Sequence, residues 1–327
     1  MNIDMIRAAA DRLDGHVRHT PLLSSPFLDD IAGRRILVKA ECLQHTGSFK
    51  FRGGWSTLSA LDPDIRARGV IAFSSGNHAQ GVAHAATQHG VPCVIVMPKD
   101  APRLKIDNTR ALGAEVVLYD RAGNESREEL GAHLAQTRGL YLIHPYNDPL
   151  VIAGQGTCGL EIAHQAAEQG ITQAEVLVNC GGGGLTSGVA LALETDAPNM
   201  RVRPVEPEGF DDVTRSLVSG AREQNATQSG GLADAILTPS PGENTFPIMH
   251  RLCGPGVVVD DNDILRAMAL AFLRLKIVLE PGGAASLAAA LFHGNALAGD
   301  TAICIATGGN VDPAVFARAL ATLETSQ

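Results

Sequence analysis

Apolar and polar positions follow two rhythms along this chain. Short, almost continuously apolar runs predict buried strands at Ile36–Lys39, Val70–Phe73, Cys93–Met97, Glu115–Tyr119, Val176–Asn179, Arg201–Val205 and Thr301–Ala306. Longer Ala-rich segments between them predict helices at Gln80–His89, Leu104–Leu112, Arg127–Arg138, Leu160–Glu168, Ser187–Glu194, Ile264–Leu273, Ala284–Leu291 and Pro313–Thr322. The opening segment, Met1–Leu13, is charged and periodic, which suits an amphipathic helix and not a secretion signal. Alternating strands and helices imply an α/β fold with mainly parallel sheets. Helices on both faces of such sheets explain strands that lack a polar side. A length of 327 residues allows about two domains.

Composition narrows the function classes. The chain is 45% hydrophobic and 19% charged, ordinary for a protein with a large core. Its formal net charge of −9, with no basic run, argues against nucleic acid or an anionic membrane as a main partner. No apolar run approaches the roughly 18 residues of a membrane span, so a cytoplasmic protein is expected. The six cysteines (42, 93, 158, 180, 253 and 304) form no Cys-x-x-Cys pair and no zinc-spaced cluster, and most read as small buried hydrophobes.

Five segments can carry chemistry. In Thr46–Gly54 (TGSFKFRGG), Lys50 sits between Phe49 and Phe51, where partial desolvation lowers an amine's pKa and frees it to form a Schiff base. The same lysine also reads as a surface residue at a helix start. Ser74–Gly81 (SSGNHAQG) follows a predicted strand and opens a helix, a backbone nest suited to a carboxylate or phosphate. Plain capping by Ser75 or Asn77 is equally open. Cys180–Gly188 (CGGGGLTSG) places four consecutive glycines after a strand, which favours a phosphate cradle, although the spacing is neither a dinucleotide loop nor a Walker A loop. Thr307, in Ala306–Asp312 (ATGGNVD), is a small hydroxyl at a strand end, where open α/β sheets bind ligands. A turn-capping role fits it as well. Val205–Asp212 (VEPEGFDD) has four carboxylates, able to coordinate a hard cation or simply to be solvated.

Taken in order, these segments resemble the threonine dehydratase and serine racemase family of fold-type II pyridoxal-phosphate enzymes, which are tryptophan synthase β-like. The resemblance runs from HTPL at His19–Leu22 to TGGNVD at Thr307–Asp312 and includes HPYNDPLVIAGQGT, VEPE, LADA and LEPGGAA. It implies that Lys50 carries pyridoxal phosphate as a Schiff base and then serves as the base at Cα. Phe49 would pack on the cofactor ring and Asn77 would bond its phenolic oxygen. Gly181, Gly182, Gly183, Gly184 and Leu185 would hold the phosphate, and Thr307 the ring nitrogen. Ser74, Ser75, Gly76, Asn77 and His78 would bind the substrate carboxylate, with Ser75 the acid/base of the opposite face if the enzyme racemises. Glu206, the Phe210 carbonyl and Asp212 resemble a site for Mg2+ or another divalent cation. ESRE at Glu125–Glu128 makes Arg127 a candidate for a second substrate carboxylate.

The implied activity is β-elimination from a β-hydroxy amino acid, L-threonine or L-serine ahead, to a 2-oxo acid and ammonia. The alternatives are 3-hydroxyaspartate dehydration, or racemisation with side dehydratase activity. HPYNDP, with Asn147, is closer to the hydroxyaspartate branch. Ala235 stands where the family usually has glycine, which puts crowding at the cofactor in question. The resemblance also implies a homodimer, and a smaller domain of residues 54–145 inserted in a larger one made from 1–53 and 146–327.

Overall fold

In the computed structural model, residues 1–101, 103–120, 123, 125–227 and 229–324 are described, apart from the side chains of Leu104 and Glu128. Ten strands form two sheets. The six-stranded sheet has the order β1 (Leu22–Ser24), β2 (Arg35–Lys39), β10 (Thr301–Ile305), β7 (Ala174–Asn179), β8 (Met200–Pro207) and β9 (Val257–Val259). Only β1 runs antiparallel to its neighbour. The four-stranded sheet is wholly parallel, in the order β5 (Glu115–Tyr119), β4 (Cys93–Pro98), β3 (Val70–Phe73) and β6 (Tyr141–Leu142). Every predicted strand is present, and the central ones are buried along their length, as helix-covered parallel strands should be. The short β1, β6 and β9, of two or three residues, were not foreseen.

The helices that frame the site depart most from sequence expectation. Lys50–Ala60 is helical despite Gly53 and Gly54, and Pro149–Glu168 begins eleven residues before the expected Leu160. The reason is close helix crossing. A Cβ on Gly54 would stand 3.0 Å from the Gly81 carbonyl, and one on Gly154 would stand 2.6 Å from the Arg52 carbonyl. A Cβ on Gly188 would reach the Ile152 carbonyl at 2.5 Å. Glycine costs up to about 1 kcal/mol in a helix, and here packing of neighbouring backbones overrides that preference. Arg52 locks this junction. Fully buried, it donates to Glu41 at 2.8 Å and Glu161 at 2.7 Å, while Lys39 reaches Glu161 at 2.5 Å. All six cysteines are free, five of them buried. Among the described residues no helix is long and apolar enough to cross a membrane.

Candidate active site

The carboxyl ends of both sheets open onto one cavity of about 380 Å³. Segments far apart in sequence meet there through backbone pairing. The Phe49 N–H donates to the Thr307 carbonyl at 3.2 Å, Ser48 bridges Gly308, and the Gly309 N–H donates to the Gly47 carbonyl at 2.9 Å. Thr46 and Gly47 take left-handed conformations (φ 58° and 73°), which turn the chain sharply into the helix that begins at Lys50. The Lys50 amine therefore projects into the cavity from a helix's first turn. It donates to the Pro145 carbonyl at 2.9 Å and lies 5.1 Å from the Phe49 ring centroid. Burial lowers its pKa from 10.5 to about 8.

Two glycine loops face this amine. Gly181–Gly184 lines one wall, and Gly183 (φ 89°) leads into the helix Gly184–Asp196. A Cβ on Gly182 would overlap the Tyr146 ring, and one on Gly184 would stand 3.0 Å from Tyr146 Cα. The loop is thus threaded against Tyr146 with its backbone turned to the cavity, at a helix N-terminus suited to an anion. Leu185 also lines the cavity. Ser74, Ser75, Gly76 and Asn77 form the other loop, where the Gly76 N–H donates to Ser74 Oγ at 3.2 Å. His78 contributes differently from its loop neighbours. Its ring is buried against the Ile143 carbonyl at 3.1 Å, and burial, with the Lys50 charge adding, pushes its pKa to about 3. It is a neutral structural imidazole.

Thr307 is buried at the end of β10, its hydroxyl accepting from Asn179 Nδ2 at 3.0 Å. Arg127 borders the cavity, with its guanidinium carbon 5.6 Å from the Phe73 ring centroid. The Ala235 methyl lines the cavity and lies near Gly282, where a Cβ would approach it to 3.0 Å. The cavity also gathers residues that sequence reasoning passed over: Lys105, Tyr146, Asn179, Asp234, Glu280 and Asn310. Their signals were weak, because a single acid or amide beside a helix start reads as a cap.

The predicted carboxylate cluster at Val205–Asp212 lies outside this cavity. Glu206 is fully buried at the end of β8. It accepts from the Val213 N–H at 2.8 Å, the Thr214 N–H at 2.7 Å and Thr214 Oγ1 at 2.6 Å, and so caps the helix Asp212–Ser219. Asp212 Oδ1 accepts from Asn225 at 2.6 Å, while its buried Oδ2 has no protein partner. Burial pushes Glu206 up to about 8, with Asp212 adding to it, and Asp212 up to about 7. Two buried carboxylates and an unpartnered oxygen fit a cation in charge. Among the described residues no group of three His, Cys, Asp or Glu side chains forms a metal cluster, so backbone or water oxygens would complete the shell.

The family model for pyridoxal-phosphate dependent enzymes matches residues 13–308. The chain belongs to that family. The cavity fits the cofactor: a buried amine, a glycine cradle at a helix N-terminus, and two buried hydroxyls on its wall, Thr186 and Thr238, that lack protein partners. The chain is 42% identical over 317 residues to an L-threo-3-hydroxyaspartate ammonia-lyase of Pseudomonas sp, covering 97% of each. It is 39% identical over 312 residues to a serine racemase of Arabidopsis thaliana, covering 94% of this chain and 92% of that one. Among solved structures, a threonine deaminase from T.th. superposes with a TM-score of 0.89 at 45% identity, covering 95% of this chain and 99% of that one. The fold is therefore fold-type II, and the protein is an enzyme that uses pyridoxal phosphate.

Proposed function

We propose that this enzyme is an ammonia-lyase that removes water from a β-hydroxy amino acid, L-threonine or L-serine foremost, giving a 2-oxo acid and ammonia. One observation carries the reading: a buried amine, a glycine loop at a helix N-terminus and a neutral hydroxyl converge on one cavity. Pyridoxal phosphate, when bound, would supply an electron sink for negative charge at the substrate Cα. Gly181–Gly184 and Leu185 would hold its phosphate, Phe49 would pack on its ring, and Asn77 would bond its phenolic oxygen. The Ser74–Asn77 loop, with the backbone of His78, orients the substrate carboxylate. Lys50, poised near neutrality, takes the Cα proton. Thr307 is neutral and cannot hold a proton on the ring nitrogen as a carboxylate would. A neutral group at that position would suit a reaction that expels a β-hydroxyl promptly.

Incubation with L-threonine, L-serine and both diastereomers of 3-hydroxyaspartate tests this reading, with ammonia and 2-oxo acid measured together. Equal amounts of the two products from a β-hydroxy amino acid support it. Absence of both from every substrate sinks it.

The cavity wall favours 3-hydroxyaspartate as a second reading, because the Arg127 guanidinium borders it, while Lys105 on the same wall is paired with Asp234 at 3.4 Å. Arg127→Ala then lowers kcat/KM for hydroxyaspartate far more than for threonine, and equal losses would remove Arg127 from that role. Glu206, the Phe210 carbonyl and Asp212 form the divalent-cation site, with Mg2+ the first candidate. The remaining parts of the proposal are a smaller domain of residues 54–145 within a larger one, a homodimer, and a cytoplasmic location. The separate four-stranded sheet supports the first, and the other two rest on the resemblance drawn from the sequence motifs.

A further inference from the structure

One buried carboxylate on the cavity wall has no part in the mechanism above. Glu280 is the residue before the helix Pro281–Phe292, a position where an acid ordinarily accepts from the helix's first N–H groups. It makes no such bond. Its Oε1 instead accepts from Asn77 Nδ2 at 2.5 Å, 203 residues away in sequence. Asn77 Oδ1 in turn accepts from Asn310 Nδ2 at 2.7 Å, and Asn310 Nδ2 also donates to the Thr46 carbonyl at 2.8 Å.

This chain of partners fixes every amide in it. Both N–H bonds of Asn310 are used, on Thr46 and on Asn77. The Asn77 oxygen is therefore an acceptor, and its nitrogen must face the carboxylate, which when ionised can only accept. One N–H of Asn77 goes to Glu280, and the other remains to serve the cavity. The surrounding glycines are shaped to this arrangement. A Cβ on Gly308 would collide with Glu280 Oε1, and one on Gly47 would stand 2.7 Å from Asn310 Oδ1. Segments TGS, SGN, EPGG and TGGN thus meet in a single hydrogen-bonded line.

We infer that Glu280 is a positioning residue that holds the Asn77 amide as a donor toward the cofactor ring and, through its own ionisation, couples the cofactor's visible absorption to pH. A carboxylate drawing on one N–H of an amide weakens the other as a donor, and its charge acts strongly in a poorly solvated site. Protonating Glu280 removes both effects.

The charged and titratable groups facing Glu280 are few. Asp234 raises its pKa and Lys105 lowers it. The Cys42 thiol, itself pushed up to about 12, stays neutral throughout. Burial dominates and lifts the Glu280 carboxyl to about 7. A carboxyl with a raised pKa is neutral below that value and ionised above it, so the negative charge appears as pH rises through neutrality.

The inference rests on the cofactor being held at Lys50, and absorption of the holoenzyme without substrate tests it. The wild type should show one transition of its visible band between about pH 6 and 8. Glu280→Gln keeps an acceptor for Asn77 but cannot ionise, so it should retain the band and lose the transition. With Glu280 intact, Asp234→Asn should lower the midpoint and Lys105→Met should raise it. These two variants decide the matter even if Glu280→Gln fails to fold. A band that is pH-independent in the wild type, a transition that survives in Glu280→Gln, or midpoints unmoved in both neighbour variants would overturn the inference. A protein with no visible band would instead count against the Lys50 assignment itself.

Discussion

The lowered pKa of Lys50 makes a quantitative prediction for the apoenzyme. At pH 7 an amine with a pKa of 10.5 is about 0.03% unprotonated, whereas one at about 8 is about 10% unprotonated, a gain of roughly 300-fold in reactive form. The perturbation is pH, and the assay is stopped-flow capture of pyridoxal phosphate by apoenzyme, followed through growth of the imine band. Rates are divided by those of a free lysine derivative at each pH, which removes the aldehyde's own titration. The ratio should be near its maximum around neutrality and should fall steeply above about pH 8, where the Lys50 amine is already free and the reference amine is still gaining. A ratio constant from pH 6 to 10 would mean that Lys50 titrates as an ordinary lysine. The desolvation argument would then be wrong, whatever the enzyme's activity.

Other consequences follow from the same geometry. Gly182→Ala drives a methyl into the Tyr146 ring and should cost about 1–3 kcal/mol of overpacking, read as a lower denaturation midpoint and weaker cofactor retention. At Gly76 a Cβ meets nothing within 4 Å, so Gly76→Ala should unfold within about 0.5 kcal/mol of wild type. Mg2+ or Mn2+ at 100 times its Kd should stabilise the folded protein by about 2.7 kcal/mol, a rise of a few degrees in Tm for a chain of this size. Asp212→Asn should abolish that rise. Ser75→Ala should remove any racemisation of L-serine while largely sparing elimination, as chiral chromatography beside ammonia release would show. Equal survival of both activities would place the second acid/base elsewhere.

Much of the site was legible because strand ends and glycine loops leave strong local marks. The runs ending at Phe73, Asn179 and Ala306 each led into a segment that lines the cavity. Lys50 was ambiguous by itself, since nothing within TGSFKFRGG distinguishes a surface amine from a buried one. Its place is set by Thr307 and Gly308, more than 250 positions later. Glu280 escaped notice for the same reason: its partner Asn77 is close only in three dimensions. The helices Lys50–Ala60 and Pro149–Glu168 were misjudged because their glycines weaken local helix signals and act only by admitting neighbouring backbones. The imidazole of His78 belongs to the same class, its orientation fixed by Ile143 on a separate segment.

Lys50 as the carrier of the cofactor is the proposal on which the other roles depend. Borohydride reduction of the holoenzyme fixes the cofactor to its lysine permanently, and peptide mass mapping then reads which of the five lysines (39, 50, 99, 105 or 276) is labelled. The label is predicted on the peptide containing Lys50, at one equivalent per chain and absent from Lys50→Ala. Stoichiometric labelling of any other lysine, with Lys50 unmodified, would contradict the account.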